Sequence, residues 1–155
     1  MAVCIIGGGI SGVMAALSLA DRGTEAIIIE SADTLGGHMI EIADCVSGFE
    51  PKLIEAEANP LVEIITGATI EKVDGGSGNF TITLSNGSTI NASSIILATG
   101  YKPFDPSIWS RYHLEDPNVY TSLEFERIIS LSSPTGGKLP DNIKRIGFIQ
   151  CIGSR

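Results

Sequence analysis

The sequence of 155 residues lacks long apolar runs and clustered basic residues. Its longest apolar runs have about four residues, far fewer than the roughly 20 that span a bilayer, so direct membrane insertion is not expected. The chain has 10 Lys and Arg residues against 18 Asp and Glu, which gives a formal net charge of −8. Because no stretch concentrates positive charge, nucleic acid and anionic membranes are poor candidate partners.

Cysteine is also scarce. Cys4, Cys45 and Cys151 are far apart, and no CxxC occurs. An odd number of cysteines without that spacing predicts free thiols instead of a disulfide framework. The N-terminus has no basic region and no cleavable apolar segment, so a cytoplasmic location is expected. Burial is predicted for Cys4; for Cys45 and Cys151 the alternatives are burial and redox activity beside a cofactor.

The first 30 residues have the pattern of a strand–helix–strand unit. Apolar runs at residues 2–6 and 26–29 predict buried parallel strands. Between them, apolar residues at helical spacing predict a helix over residues 10–22, with Gly23 as its C-terminal cap. The unit has the length of a βαβ motif.

A GxGxxG motif, Gly7-Gly8-Gly9-Ile10-Ser11-Gly12, joins the first strand to this helix. Gly7 permits a tight turn, Gly9 lets a pyrophosphate approach the backbone, and Gly12 lets the helix pack closely against the strand. The helix N-terminus supplies N–H groups and a positive dipole end, so Ile10 and Ser11 are also predicted to contact the anion. An acidic protein can therefore bind a dinucleotide through local geometry.

Glu30 ends the second strand, 18 residues after Gly12. A carboxylate there can accept hydrogen bonds from ribose hydroxyls and disfavours a 2′-phosphate, so NADP is a poor ligand. Ser31, the next residue, is also predicted to contact the cofactor. A glycine-rich turn that serves packing alone is the competing interpretation, but it does not explain an acid at this offset.

The spacing of apolar residues changes in the middle of the chain. A helix is predicted over residues 51–58, with Pro51 in its first turn. Short runs near period two then predict an antiparallel β-meander over about residues 61–92 in place of another helical crossover, with Asn86-Gly87 as a hairpin turn. The runs are residues 62–66, 69–73, 80–84 and 89–91. Residues 95–98 are apolar throughout and are predicted to return to the parallel sheet.

The predicted fold is α/β, a Rossmann-like FAD/NAD(P)-binding domain with a central parallel sheet and the meander as a crossover. This domain is expected to cover residues 1–105. Residues 106–155 are expected to form a connecting segment and the first strand of a following, truncated region. Within that segment a helix is predicted near residues 122–130 and a strand at residues 146–149.

Two further segments favour FAD over NAD. Leu35-Gly36-Gly37-His38 follows Glu30, and a strand ends in Ala98-Thr99-Gly100 after the meander. In this order, the features resemble the FAD-binding domain of two-dinucleotide-binding flavoproteins, the glutathione-reductase-like superfamily. The resemblance implies that FAD is the cofactor and that both segments contact it. For His38, a solvated or capping side chain remains an alternative to cofactor contact.

Several longer strings resemble a narrower family, the A-type flavin subunit of heterodisulfide reductase together with its relative in the quinone-interacting membrane-bound oxidoreductase complex. Residues 120–127 (YTSLEFER) are one such string, and the two later ones, residues 134–138 (PTGGK) and 148–155 (FIQCIGSR), are far more specific than GxGxxG. The resemblance covers almost the whole chain. It implies an FAD-carrying electron-transfer subunit whose partners are other subunits with iron–sulfur clusters.

The sequence departs from that family at two places. Longer members carry a ferredoxin-like insert with cysteine-rich motifs, whereas here Gly78-Asn79-Phe80 runs directly into Asn86-Gly87. Members can also have more than one cysteine near Asp44-Cys45, whereas Cys45 stands alone. We therefore expect no iron–sulfur centre or other metal site in this chain.

No general acid, base or nucleophile is identifiable, so no catalytic residue is predicted. In the family a C-terminal segment completes the FAD domain, and its absence here predicts weak FAD retention. Two other functions stay open. One is a fragment of an NAD(P)H-dependent disulfide oxidoreductase, which would need a CxxC or CxxxxC that residues 36–50 lack. The other is a dinucleotide-binding module without turnover.

Overall fold

The computed structural model describes residues 1–108, 110–131, 133–134, 136–139, 141, 143–150 and 152, without the side chains of residues 43–47 and 106. Ten helices and strands are described in the following order. They are β1 (Val3–Ile6), α1 (Ile10–Ala20), β2 (Ala26–Ile29), α2 (Ala43–Ala58), β3 (Val62–Ile65), β4 (Ile70–Gly76), β5 (Asn79–Leu84), β6 (Thr89–Ala92), β7 (Ser94–Leu97) and α3 (Ser122–Ile129).

A four-stranded parallel sheet has the order β3-β2-β1-β7. Val3 of β1 pairs with Ala26 of β2 on one side and with Ser94 of β7 on the other. Helix α1 connects β1 to β2, and the glycine-rich turn lies between β1 and α1. The parallel strands all end at the same edge of the sheet, where β1 is followed by Gly7 and β2 by Glu30.

An antiparallel sheet of the order β4-β5-β6 connects β3 to β7. Gly87, with a φ of 82°, occupies the hairpin between β5 and β6, and its N–H donates to the carbonyl of Leu84 over 2.9 Å. Asn86 accepts the Ser88 N–H at its Oδ1 atom over 2.9 Å. The predicted α/β fold with an antiparallel meander crossover is thus confirmed.

The predicted start of the meander at residue 61 is wrong. Strand β3 pairs with β2 in parallel, with Ala26 opposite Val62 and Ile29 opposite Ile65. It is the edge strand of the main sheet, and the meander begins only at Ile70. Parallel pairing is possible because α2 provides the long crossover that two parallel strands require.

The predicted position of Pro51 is also wrong, because α2 begins at Ala43 and Pro51 lies inside it. Proline has no N–H to donate to the carbonyl four residues earlier, so it weakens the helix locally. Burial offsets that loss. Phe49 and Ala56 are buried and Leu53 packs against the same apolar cluster, on the helix face that meets the sheet.

The parallel sheet is covered on both faces. Cys4 and Ile5 are neighbours in β1, but their side chains point to opposite faces because side chains alternate along a strand. Ile5 packs with the helices, in a cluster that includes Val13, Leu17 and Ile28. Cys4 packs with the meander, in a cluster of Ile29, Ala68, Ile82, Leu84 and Ala92.

The chain divides into two compact units. One comprises Met1–Ile40 and Cys45–Gly100, and the other Glu41–Asp44 and Tyr101–Arg155. The predicted boundary at residue 105 stays a prediction. Within the described segments, no helix is long and apolar enough to cross a membrane.

Helix α3 confirms the helix predicted near residues 122–130, and it begins with a capping box. Thr121 Oγ1 accepts the N–H of Glu124, and Glu124 accepts the N–H of Thr121. The strand predicted at residues 146–149 is wrong: these residues have no strand assignment, and Phe148 and Ile149 are each 73% exposed. An apolar run forms a strand only where a partner supplies the ladder hydrogen bonds, and none of the described strands pairs with this one.

Candidate dinucleotide-binding site

Gly7 begins the turn after β1 and ties it to both neighbouring strands. Its N–H donates to the carbonyl of Ile29 over 2.8 Å, and its φ of 109° is one that residues with a side chain rarely adopt. A Cβ on Gly7 would overlap the carbonyl oxygen of Ala98. A glycine is therefore required here for the turn to close against the end of β7.

Gly12 lies in the first turn of α1, against the carbonyl of Gly7. A Cβ there would overlap that carbonyl oxygen and lie 3.4 Å from the Cγ2 atom of Ile5. The absence of a side chain thus brings the start of α1 directly onto the turn. This agrees with the predicted role of Gly12 in close packing.

Gly9 is the N-cap of α1 and faces open space. A Cβ built on it would have no atom within 4 Å, and its φ of −74° is accessible to any residue. No side chain caps the helix, and its first turn contains no acidic residue. The first amides of a helix have no intrahelical partner, and Ile10 and Ser11 beside them are exposed. This end of α1 can therefore accept an anion.

Glu30 is buried, with 9% of its surface exposed, and its carboxylate lies under the glycine turn. One oxygen accepts the N–H of Gly8 over 2.6 Å. The other accepts the Ala32 N–H over 2.8 Å and the Ser31 hydroxyl over 3.0 Å. Donors from Gly8, Ala32 and Ser31 thus surround this carboxylate.

The electrostatics of Glu30 follow from these contacts. Burial opposes ionisation of its carboxyl, but the hydrogen bonds from Ala32, Gly8 and Ser31 outweigh that effect. Its pKa is consequently lowered from the ordinary value of 4.5. Glu30 therefore carries its negative charge at neutral pH.

The loop with Gly36 and Gly37 packs directly on the glycine turn. The Gly36 N–H donates to the carbonyl of Gly8 over 2.8 Å, and Gly36 forms a bridge with Gly9. A Cβ on Gly37 would be 3.2 Å from the Cα of Gly9. His38 follows in a 3₁₀ turn, Gly37–Ile40, and is half-buried. The structure thus brings the two glycine segments together.

The Ala98-Thr99-Gly100 segment lies at the same edge of the sheet. Ala98 donates its N–H to the carbonyl of Ile6 over 2.8 Å, which extends the pairing of β7 with β1. Thr99 and Gly100 are exposed, and Gly100 has a φ of 66°. The predicted site residues therefore lie at or near the carboxyl ends of β1, β2 and β7, where α/β sheets bind ligands.

The sequence-based assignment missed the roles of Gly8 and Ala32, and it missed the packing of Leu35 against Gly8. Gly8 is a variable position of the GxGxxG pattern, and Ala32 contributes only its main chain. Leu35 is 6% exposed, and a Cβ on Gly8 would overlap its side chain. Only the apolar character of Leu35 beside two glycines signalled its burial.

The cysteines do not form part of this site in the described residues. Cys4 is fully buried, and burial raises the pKa of its thiol to about 11. The side chain of Cys45 and all of Cys151 lie outside the described residues, so their predicted alternatives stay open. Among the described residues, no group of His, Cys, Asp or Glu could hold a metal ion.

A family profile, described as pyridine nucleotide-disulphide oxidoreductase, matches residues 1–127. The chain belongs to this family. The match includes the glycine turn, Glu30 and the meander. It thus confirms the predicted superfamily of two-dinucleotide-binding oxidoreductases.

Curated relatives show which members of the family this chain resembles. It is 28% identical over 243 residues to an A-type iron-sulfur subunit of CoB–CoM heterodisulfide reductase from Methanopyrus kandleri, covering 97% of this chain and 37% of the relative. The corresponding subunit of Methanocaldococcus jannaschii is 26% identical with the same coverage. The predicted resemblance to this subunit of heterodisulfide reductase is thus confirmed. The chain spans little more than a third of the length of these relatives.

Among solved structures, a FAD-dependent pyridine nucleotide-disulphide oxidoreductase from Desulfovibrio vulgaris is 28% identical, with a TM-score of 0.51 over 65% of this chain and 24% of its own. L-proline dehydrogenase from P. horikoshii is 27% identical, with a TM-score of 0.53 over 64% of this chain and 22% of its own. Both agree with the predicted fold class and with a FAD-type oxidoreductase domain.

Proposed function

We propose that this chain is the FAD-binding module of an electron-transferring oxidoreductase resembling the A-type subunit of heterodisulfide reductase. In this proposal it binds the adenosine diphosphate half of FAD at the carboxyl edge of the parallel sheet. Family membership and the relatives support the class of cofactor. The chain spans 37% of the length of the first relative. Electron transfer by the whole enzyme is therefore also proposed.

One observation carries the proposal: the uncapped N-terminus of α1 opens at Gly9, beside a turn that three glycines keep free of side chains. Amides at a helix N-terminus bind diphosphates through hydrogen bonds and the helix dipole. The proposed diphosphate ligands are the main-chain amides of Gly9, Ile10, Ser11 and Gly12. This local site explains how a chain with a net charge of −8 would bind an anion.

The proposed ribose contact is Glu30. Its carboxylate would accept a ribose hydroxyl, and its charge would repel a 2′-phosphate. Ser31 is exposed next to it and is the second proposed contact. Gly36, Gly37 and His38 would border the diphosphate on one side, and Ala98, Thr99 and Gly100 on the other.

When bound, FAD supplies the redox chemistry of such a module, and the protein supplies binding, orientation and electrostatics. Gly7 and Gly12 pack so closely against the main chain that neither position admits a side chain. In this proposal, the closely packed turn and helix start orient the adenosine half. The proposed partners are iron–sulfur proteins of the same complex, because the relatives are named as iron-sulfur subunits of heterodisulfide reductase.

The alternative of a disulfide reductase follows from the family description. It requires two cysteines close together beside the flavin, and the three cysteines of this chain are more than 40 residues apart in sequence. A dinucleotide-binding module without turnover is the other alternative. It would bind the nucleotide, but no donor would reduce a bound flavin.

Visible absorption after gel filtration tests the proposal. We expect flavin bands to co-elute with the chain when FAD is added and to be displaced by ADP. FMN, which lacks the adenosine monophosphate part of FAD, should not co-elute. Tight binding of NAD with exclusion of FAD would overturn the cofactor assignment.

Electron transfer is tested separately by reducing the FAD-loaded chain anaerobically and mixing it with a ferredoxin-type iron–sulfur protein. We expect flavin oxidation to match reduction of the iron–sulfur centre. A flavin that no donor reduces would favour the module without turnover. Turnover of a small disulfide with NADH would favour the disulfide reductase.

A further inference from the structure

The Gly8 peptide is held from both sides by residues outside the glycine turn. Its N–H donates to Glu30 over 2.6 Å, and its carbonyl accepts the Gly36 N–H over 2.8 Å. Gly8 is buried, and a Cβ on it would overlap Leu35 and lie 3.1 Å from the Cβ of Glu30. In this arrangement the Gly8 N–H is unavailable to a ligand, although it lies within the phosphate-binding motif.

Three successive glycines, Gly7, Gly8 and Gly9, have more backbone freedom than any other three residues. Such a segment would adopt many conformations unless contacts hold it in one. Gly7 is held by β2 through its N–H, and Gly9 forms a bridge with Gly36 although a Cβ on it would meet open space. The contacts to Gly8, together with that bridge, therefore hold Gly9 and the first amides of α1 in one orientation.

We propose that Glu30 is a positioning residue for the phosphate turn, which it holds through the Gly8 peptide in addition to contacting one ribose hydroxyl. The inference rests on the proposed function and deepens it. Two oxygens of one carboxylate connect the Gly8 N–H to the Ala32 N–H and the Ser31 hydroxyl. Glu30 thus joins the turn after β1 to the loop after β2.

This dual role distinguishes Glu30 from a carboxylate that binds ribose alone. A residue that binds only the ribose hydroxyls affects the affinity only for nucleotides that have those hydroxyls. A residue that positions the turn influences the diphosphate site whether or not they are present. Two nucleotides separate these effects: ADP, and 2′,3′-dideoxyadenosine 5′-diphosphate, which has the same diphosphate but neither hydroxyl.

The experiment measures the binding of both nucleotides to the wild-type chain and to Glu30→Ala by calorimetry. We expect Glu30→Ala to weaken the binding of both by about tenfold or more, since a charge-assisted hydrogen bond to the turn is lost. Glu30→Gln keeps one acceptor oxygen in place of two, and an intermediate loss is expected for both nucleotides. Glu63→Gln, an exposed acid on β3, is the matched control and should bind both as the wild type does.

A second measurement needs no ligand. Amide hydrogen exchange in the free chain should become at least about tenfold faster at Gly8 and Ala32 in Glu30→Ala, because a buried hydrogen bond is lost. Exchange at Ile28, in the core of the sheet, should remain much slower than at Gly8 and report that the fold is retained. If Glu30→Ala does not fold, Glu30→Gln provides the same comparison.

The outcomes separate the two proposals. A loss confined to ADP, with dideoxy-ADP binding unchanged, would overturn the positioning role and leave Glu30 as a ribose ligand. Unchanged exchange at Gly8 would overturn it as well. If the wild-type chain binds neither nucleotide, the proposed function fails, and the exchange at Gly8 still decides whether Glu30 positions the turn.

Discussion

Gly12 lies so close to Gly7 that a Cβ on Gly12 would overlap the Gly7 carbonyl oxygen. The relationship joins the first turn of α1 to the end of β1, five residues earlier in the chain. The N-terminus of α1 therefore lies directly against the glycine turn. Stability and ligand binding therefore depend on different glycines of the same motif.

Gly12→Ala should destabilise the fold. The added methyl group overlaps main-chain atoms that cannot move without shifting α1, and overpacking of this kind costs about 3 kcal/mol of unfolding free energy. Urea denaturation measures the change. Gly76→Ala is the control, because a Cβ there meets no atom within 4 Å and its φ is not positive. Equal stability of the two variants would contradict the packing role of Gly12.

Gly9→Leu should weaken nucleotide binding while retaining the fold. Its side chain would enter the open space before α1 and cover the amides proposed to bind the diphosphate. We expect ADP affinity to fall by about tenfold to a hundredfold, with a loss of about 1 kcal/mol of stability from the poorer N-cap. Calorimetry and thermal unfolding measure the two effects.

Gly76→Leu is the matched control for this substitution, since it adds the same side chain at another open position. It should bind ADP as the wild-type chain does. Unweakened ADP binding by Gly9→Leu would show that the diphosphate binds elsewhere.

Glu30 should make stability depend on pH in the acid range. Burial opposes its ionisation, but hydrogen bonds from Ala32, Gly8 and Ser31 outweigh this and lower its pKa from the ordinary 4.5. A carboxyl with a lower pKa in the folded state stabilises the fold above its unfolded pKa, and that contribution is lost as pH falls through the folded value. Urea unfolding of the wild type and Glu30→Gln across pH 4.5 measures it.

The difference in unfolding free energy between these two chains should be greater at neutral pH and shrink as pH falls below 4.5. Using the difference removes the contributions of other carboxyls that titrate in both chains. The unfolding free energy of Glu63→Gln should change with pH in the same way as that of the wild type. A constant difference between wild type and Glu30→Gln would mean that the Glu30 charge is not held by these hydrogen bonds.

Cys4 should be unreactive in the folded chain. Its side chain is fully buried, and burial raises the pKa of its thiol to about 11, so little thiolate exists near neutral pH. A double variant with Cys45→Ser and Cys151→Ser isolates this thiol. We expect no labelling by an aromatic disulfide reagent until urea unfolds the chain. Rapid labelling of the folded variant would contradict the burial of Cys4 against the meander.

Thr121→Ala should weaken the start of α3. Thr121 Oγ1 accepts the Glu124 N–H over 3.3 Å, and Glu124 Oε2 accepts the Thr121 N–H over 2.7 Å. Loss of an N-cap side chain costs about 1 kcal/mol, which corresponds to roughly fivefold faster amide exchange at Glu124. Ser122→Ala, at an exposed position one residue later, is the control. Equal exchange in both variants would argue against the capping box.

The sequence by itself determined the strand–helix–strand unit, the glycine turn, the hairpin at Asn86-Gly87 and the dinucleotide-binding class. These features depend on neighbours within a few residues. Apolar runs predict buried strands, helical spacing predicts α1, and glycines permit backbone conformations that side chains forbid. Such preferences are local, so they can be read along the chain.

The tertiary structure alone decided where β3 pairs, how far α2 extends and what the Glu30 carboxylate binds. Residues 62–66 have the same short pattern as the meander strands, and only the pairing with β2 assigns β3 to the parallel sheet. Pro51 predicted a helix start, but burial of Phe49 and Ala56 sustains helix on both sides of it. The partner of Glu30 is Gly8, 22 residues away. Contacts between distant segments form only when the chain packs, so no local pattern specifies them.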